Sequence, residues 1–387
     1  MRIAVVRETL EGEARVALVP EAVAKLVKAG HEIAIEPDAG SLAQFSDAEY
    51  EDAGASVSQD ALSDAEVVTA VQPLTVPQLR SLRAGTATIS FLPTRQSLDL
   101  VSELRDVQVT SFALELVPRI SRAQSMDALS SQALVSGYRS AIVAAGLLRR
   151  FFPLNMTAAG TVQPAQVVVL GAGVAGLQAI ATSKRLGAVV KAYDVRAAAA
   201  EEIRSMGAKA IELELETLEG AGGYAREMTE DRAERQRELL TPHIANADVL
   251  ITTAAVPGRT APMLVTSEMV EQMKPGSVVV DLAAETGGNV EGSQPGTIVT
   301  IGVAQVWGGS NVPSQMPGPA SSLLAQNIVN LLTLMSGEDA AFAPDFDDEI
   351  VTGACVTHDG VVRHEPTREL LDGPAEPAEP TEGETPA

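Results

Sequence analysis

The sequence predicts an α/β protein: two Rossmann-like doubly wound parallel-sheet domains separated by a cleft. Three observations point there. Short apolar runs alternate with amphipathic helical stretches along most of the chain, a pattern that parallel sheets with helical crossovers require. At 387 residues and 45% hydrophobic the chain is long enough for two ordinary cores. Between Gln166 and Asp194, QVVVLGAGVAGLQAIATSKRLGAVVKAYD joins a strand, a glycine turn, a small-residue helix and a second strand ending in an acid.

From the N-terminus, an apolar run at Ile3 to Val6 leads to a Pro-led helix at Pro20 to Lys28, a stop at Gly30 and a strand at Glu32 to Glu36. Runs at Val67 to Val71, Thr86 to Leu92 and Gln108 to Ala113 extend this first sheet, which carries no glycine fingerprint. Its nucleotide site is absent or altered. A helix from Ser131 to Phe152 bridges to the second domain, whose later strands at Asp248 to Thr252, Ser277 to Leu282 and Thr297 to Ile301 complete a six-stranded count. The helix Ala320 to Met335 then returns the chain to the first domain, and Gly353 to His364 forms a hairpin turning at Asp359-Gly360. The expected limits are 1–132 plus 325–371 for the first domain, 133–324 for the second, and a disordered acidic tail at 372–387.

In the glycine turn, Gly171 permits a tight bend, Gly173 lets backbone approach a pyrophosphate and Gly176 lets the helix lie close on the sheet. Asp194, about twenty residues on, is placed to accept hydrogen bonds from the adenosine ribose and to repel a 2′-phosphate. That favours NAD(H) over NADP(H), slightly weakened by Arg196. A second candidate is Pro118 to Ser131, PRISRAQSMDALSS, where Arg119, Arg122, Gln124, Asp127 and Ser130 cluster between a strand and a helix. Such a set can orient a nicotinamide and its ribose; the plain alternative is an Asp127 helix cap beside surface arginines. The charged segment Glu212 to Arg237 holds Gly220, Gly222 and Gly223 just before Tyr224. It reads either as a lid over a nucleotide or as a solvated acidic and basic helix flanked by a flexible tip.

Other features narrow the function. A formal charge of −23 argues against nucleic acid and anionic lipid as partners. The charged N-terminus is no signal peptide, no apolar run is long enough to span a bilayer, and the single cysteine, Cys355, cannot form an internal disulfide; a cytoplasmic setting is expected. No zinc-spaced cluster occurs, so no metal is expected. His31, His243, His358 and His364 all lie away from the candidate loop and turn. Oxidation of an alcohol or amine moves a proton as well as a hydride. A site without an acid/base suits hydride exchange between two nicotinamides.

Six motifs together resemble the NAD(H)-binding component (domain I, the soluble part of the alpha subunit) of proton-translocating NAD(P)+ transhydrogenase. They are PRISRAQSMDALSSQ (Pro118 to Gln132), MTAAGT (Met156 to Thr161), GAGVAGLQAIATSKRLGA (Gly171 to Ala188), AGGYARE (Ala221 to Glu227), VVDLAAETGGN (Val279 to Asn289) and SNVPS (Ser310 to Ser314). The resemblance implies catalytic and nicotinamide contacts at Arg119, Gln124, Asp127 and Ser130, with Gln124 facing NADP(H) on a partner. It implies NAD(H) contacts also at Gly171, Gly173, Val174, Gly176, Asp194, Val195, Arg196, Gly223, Tyr224 and Ala255. It further implies a homodimer, an NADP(H)-binding beta subunit, membrane-spanning subunits that carry protons, and a place on the cytoplasmic face of the inner or plasma membrane. Alanine dehydrogenase is similar in both domains and shares the GEARVALVP-like opening with Arg15. Gln72 and Phe91 stand where that enzyme carries lysine and histidine, and Glu285 where it carries aspartate, which counts against its activity. A non-catalytic NAD sensor is the third expectation.

Overall fold

Parallel strands need long crossovers, and the β-branched runs of this chain are spaced by helices that supply them. The structure, a computed structural model, describes residues 1–215, 229–256 and 258–373. The first strands are β1 (Arg2–Val5), β2 (Glu32–Ile35), β3 (Ser56–Val57), β4 (Val67–Thr69), β5 (Ala87–Ser90) and β6 (Thr110–Ala113). A separate hairpin follows, β7 (Asn155–Thr157) with β8 (Gly160–Val162). Then come β9 (Gln166–Leu170), β10 (Val189–Tyr193), β11 (Lys209–Ala210), β12 (Val249–Thr252), β13 (Val278–Asp281), β14 (Ile298–Ile301), β15 (Ala304–Gly308), β16 (Cys355–His358) and β17 (Val361–Val362).

The two large sheets run β17-β16-β6-β5-β4-β1-β2-β3 and β11-β10-β9-β12-β13-β15-β14. Each contains the doubly wound order 3-2-1-4-5-6, which reverses at β1/β4 and at β9/β12. Every pair within those orders is parallel, while β14, β16 and β17 join antiparallel at the edges. The second sheet therefore has seven strands where six were expected. Thr297 to Ile301 is its antiparallel edge, and β15 fills the sixth parallel place. Gly302, at φ 55, makes the two-residue turn that folds β15 back beside β14, so two short strands stand where one was read.

Both faces of each sheet are covered, which is why the strands read as unbroken apolar runs. Val167 and Val169 enter one core of the second sheet, Val168 and Leu170 the other. The helix Ala128–Leu147 passes between the domains, with Ala128 in the first core and Ala144 in the second. It starts before the expected Ser131 because Asp127 caps it, and it ends before Phe152. The helix Pro317–Leu334 brings Leu324, Ile328, Leu331 and Leu332 into the core of the first sheet. The C-terminal hairpin turns at Asp359 and Gly360, both at positive φ, but Gly353 belongs to the preceding helix Glu349–Ala354. Asp372, read as the start of the tail, ends the helix Glu365–Asp372; the rest of the tail, beyond Gly373, lies outside the described residues. The helix Glu230–Ala245 takes the last stretch of the charged segment, where the plain alternative has a charged helix; residues 216–228 lie outside the described residues. Among the described residues no helix is long and apolar enough to cross a membrane.

Candidate functional site

At the end of β9, Gly171 adopts φ 97, and a Cβ there would stand 2.6 Å from the Thr253 hydroxyl. A Cβ on Gly176 would stand 1.9 Å from the Gly171 carbonyl oxygen, so the helix Val174–Arg185 rests directly on the turn. Gly173 differs: it is the N-cap, no side chain caps the helix, and the space beside its Cα is open to 4 Å. The first N–H groups of that helix are therefore left without a side-chain cap beside open space, the arrangement in which helix starts receive anions. Val174, the first residue of the helix, is 41% exposed. Across the sheet reversal, exposed Ala255 lies on the loop after β12.

Three residues that shape this crevice escaped the sequence reading. Thr253 Oγ1 donates to the Gly171 and Leu170 carbonyls at 3.3 and 3.4 Å. Asn289 accepts from Ala254 N at 3.0 Å and donates to the carbonyls of Ala254 and Pro262, each at 2.8 Å, pinning the Ala255 loop. Gly137, in the long bridging helix, has no room for a Cβ, which would lie 2.1 Å from Ala175 O. The terminal asparagine of VVDLAAETGGN was the available signal; Gly137 had none, because its partner is distant in sequence.

Asp194 stands just after β10, over the glycine turn. Its Oδ2 accepts from Ala172 N at 2.7 Å, and Oδ1 accepts from the Arg196 backbone N and Nε, each at 2.9 Å. Arg196 Nη2 donates to Asp194 Oδ2 at 3.1 Å and to Ala172 O at 3.2 Å. The carboxylate is thus tied to the turn on one side and paired with a guanidinium on the other, a closer coupling than the slight influence assigned to Arg196 from sequence. Val195 between them packs against the second-sheet core.

The polar loop forms a 3-10 turn, Ser121–Met126, leading into the bridging helix. Asp127 Oδ1 accepts from Ser130 N at 2.8 Å, and Ser130 Oγ donates to Asp127 Oδ2 at 2.6 Å, so the plain helix cap is present. Arg122 does not join the cluster; it makes a bidentate pair with Asp348, 2.8 Å on each arm, and its hydrogen bonds hold that carboxyl down at about 2. Asn327 and Asn330 donate to Ser125 O at 2.9 and 2.8 Å, fixing the turn to the return helix. Arg119 and Gln124 present exposed side chains. Gly223 and Tyr224 lie outside the described residues.

In the first sheet the corresponding reversal is filled by the protein's own acids. Glu8 accepts from Val71 N at 2.6 Å and Gln72 N at 3.3 Å, at the end of β4. Glu13, in a buried ion pair with Arg15, accepts from Gln72 Nε2 at 2.8 Å. What remains is a cavity of about 300 Å³ walled by Glu8, Glu13, Asp38, Arg7 and Arg15, in which the Glu8 carboxyl already occupies the Val71 and Gln72 N–H groups. Gln72 is thus engaged with Glu13, Phe91 lies under the Arg15 guanidinium at 6.0 Å, and Glu285 accepts from Ser310 Oγ and Asn311 N. His358 bonds Thr110 and His364 bonds Thr367, both at the far edge of the first sheet. Among the described residues no group of acids, histidines and cysteine is arranged to hold a metal. Cys355 is buried in β16, which pushes its thiol up to about 12.

Burial raises the Glu8 carboxyl from its ordinary value of 4.5 to about 7, against the opposing hydrogen bonds from Val71 and Gln72. The folded protein then holds a proton there that the unfolded chain has lost, so this group makes stability fall as pH rises from about 4.5 to about 7. Glu8→Gln is expected to remove that slope. Urea midpoints of the two proteins at pH 5 and pH 8 test it; parallel losses in both would refute the assignment.

Among known proteins, the description "Alanine dehydrogenase/PNT, N-terminal domain" matches residues 4–136, and "Alanine dehydrogenase/PNT, C-terminal domain" matches residues 140–365. The chain belongs to the alanine dehydrogenase/PNT family. Within the alanine dehydrogenase/PNT family it is 46% identical over 376 residues to an NAD(P) transhydrogenase alpha-subunit chain of Rhodospirillum rubrum, covering 94% of this chain and 98% of that one. The alanine dehydrogenase of Mycolicibacterium smegmatis is 30% identical over 384 residues, covering 97% and 98%. A crystal structure of transhydrogenase from Sinorhizobium meliloti superposes with a TM-score of 0.86 at 42% identity, covering 94% of this chain and all of the other. The two-domain Rossmann-like architecture is common to the alanine dehydrogenase/PNT family, and the identities place this member with the transhydrogenase alpha subunits.

Proposed function

We propose that this chain binds NAD(H) between the Gly171 turn and the Ala255 loop, and exchanges a hydride directly with NADP(H) held by a beta subunit. The observation that carries the reading is the Gly171 turn with an uncapped, open Gly173 N-terminus beside the Asp194–Arg196 pair; Gln72, engaged with Glu13, and Phe91, under Arg15, are the residues that the resemblance sets where alanine dehydrogenase carries lysine and histidine. The hydride leaves one nicotinamide C4 and arrives at the other with its electron pair, so no proton is gained or lost at this site.

In this reading Gly173, Val174 and the helix N–H groups meet the pyrophosphate, while Gly171 and Gly176 shape the turn. Asp194, Val195 and Arg196 meet the adenosine ribose, and Ala255 lines the opposite wall. Arg119, Gln124, Asp127 and Ser130 surround the nicotinamide and its ribose, with Gln124 turned toward the partner's nucleotide. The NAD(H) contacts that the resemblance implies at Gly223 and Tyr224 belong to the same reading. So do the domain limits 1–132 plus 325–371 and 133–324.

Membrane-spanning subunits would couple the exchange to proton translocation, with this chain peripheral on the cytoplasmic face. A homodimer is supported by the β7–β8 hairpin, which no other described strand joins. Residues 151–165 carry no charge in a chain of net −23. There Met156 is 74% and Phe151 56% exposed, an apolar tip of the kind that a second copy covers.

The test combines the purified chain with the NADP(H)-binding partner domain, NADPH and an NAD+ analogue of distinct absorbance. Reduction of the analogue that requires both proteins is expected, from a chain that sediments at twice its 40.3 kDa mass. Absence of any rate above the partner-free background refutes the transfer, and a monomer refutes the dimer. Partner-free oxidation of NADH by pyruvate and ammonia would instead favour the alanine dehydrogenase reading.

A further inference from the structure

Glu13 is buried to the last atom of its side chain, and Arg15 is 5% exposed, yet neither touches the dinucleotide crevice. Burying a charged pair is costly unless every remaining lone pair and N–H is matched. Here both carboxylate oxygens and four of the five guanidinium N–H groups are matched, by residues from separate parts of the chain. Glu13 Oε1 accepts from Arg15 N, Arg15 Nε and Ser314 Oγ at 3.0, 2.8 and 3.0 Å. Its Oε2 accepts from Arg15 Nη2, Gln72 Nε2 and Asn311 Nδ2 at 2.6, 2.8 and 3.1 Å. Arg15 Nη1 donates to Gln132 Oε1 at 3.0 Å, and Nη2 reaches Asn311 Oδ1 at 3.3 Å. Asn311 holds the left-handed φ of 37 that asparagine tolerates better than most residues.

These partners bridge the two sheets. Ser314 and Asn311 lie on the segment leaving β15, and Asn311 N also donates to Glu285, on the loop after β13, at 3.0 Å. Gln132 lies five residues after Asp127 on the helix that Gly137 locks against Ala175. We propose that Glu13 and Arg15 are positioning residues, an interdomain latch that sets the separation between the Asp127–Ser130 end of the bridging helix and the Gly171 turn. A shift of either sheet strands a buried carboxylate or guanidinium, so the latch holds one arrangement and opposes small displacements. It acts through the helix and the 310–314 segment, touches no nucleotide, and rests on the hydride-transfer reading above.

The test is Glu13→Gln in the full chain, assayed with the NADP(H)-binding partner domain. An amide nitrogen would face donors on whichever side it takes, so the arrangement loosens while the volume is kept. Turnover is expected to fall roughly tenfold, since misplacement near 1 Å can cost more than that. The NADH dissociation constant should stay within about twofold, because the dinucleotide turn belongs wholly to the second sheet. The primary isotope effect with 4-deuterated NADH should rise as the transfer step becomes limiting. A simple loss of folded protein would lower turnover and leave the isotope effect unmoved, and that result overturns the latch, as does wild-type behaviour.

Ser314→Ala, which keeps the ion pair, should show the same pattern more weakly. Amide exchange in the unliganded proteins should quicken at residues 311–316 and 12–16 of both variants, and unchanged exchange overturns the proposal even where Glu13→Gln folds poorly. A wild-type chain that fails to transfer hydride refutes the function instead, with the exchange measurement still judging the latch.

Discussion

Gly176→Ala is expected to abolish NADH binding, raising the dissociation constant by about a hundredfold or more. The added Cβ would lie 1.9 Å from the carbonyl oxygen and 2.8 Å from the carbonyl carbon of Gly171, and both are backbone, so no side chain can swing aside. Either the turn opens or the helix Val174–Arg185 lifts from β9, and both move the uncapped helix N–H groups. Overpacking of this kind costs about 1–3 kcal/mol or more, and a factor of one hundred in affinity corresponds to about 2.7 kcal/mol. Titration of NADH fluorescence measures the loss. Gly173→Ala is the matched control, because its Cβ meets no protein atom within 4 Å. It should fold with an unaltered melting temperature and still bind more weakly, since the methyl enters the ligand's space. Normal binding by both variants would place the pyrophosphate elsewhere.

Asp194→Asn is expected to weaken NADH binding by about tenfold and to raise the affinity for NADPH. Charged hydrogen bonds contribute about 1.5–3 kcal/mol each, and the partly exposed ribose contact falls at the low end of that range. In the wild type the carboxylate engages both Arg196 Nε and Nη2, so the guanidinium is held against an acid. The neutral amide keeps an acceptor for Ala172 N and loses the ion pair, which frees Arg196 to meet a 2′-phosphate. On the proposed NAD(H) reading, discrimination against a 2′-phosphate depends on the pair, with Arg196 held by the acid beside it. Competition between the two nucleotides, read by equilibrium dialysis, gives the ratio; unchanged affinities for both would show that Asp194 does not meet the ribose.

Much of this was legible along the chain. Apolar runs bounded by Gly, Pro and Asp marked twelve of the seventeen described strands, leaving β3, β7, β8, β11 and β15 unread, and Pro20 and Gly30 bracketed the first helix closely. The strand β15 was missed because its buried and half-buried residues alternate over only five positions beside a turn that looked like a stop. Arg122 was grouped with the nicotinamide cluster by proximity in sequence, yet its partner Asp348 is 226 residues away. For Asp127 the capping and the functional readings were both open, and the cap is present. A cap and a ligand contact use different lone pairs of one carboxylate, so the first does not exclude the second.

Local spacing was enough to establish the class of fold, the position of the glycine turn and the acid that follows it, because these depend on residues within one βαβ unit, where the order of residue types dictates geometry. Which acids are ionised, paired or pressed into holding a proton emerged only once the chain was folded. Glu8 and Glu13 stand five positions apart in one short loop, yet burial raises the first to about 7, while Arg15 and donors from two distant segments hold the second near 2 against the same desolvation. Charge state follows from solvent exclusion and from neighbours that the chain brings together over hundreds of residues, and no local pattern carries that information.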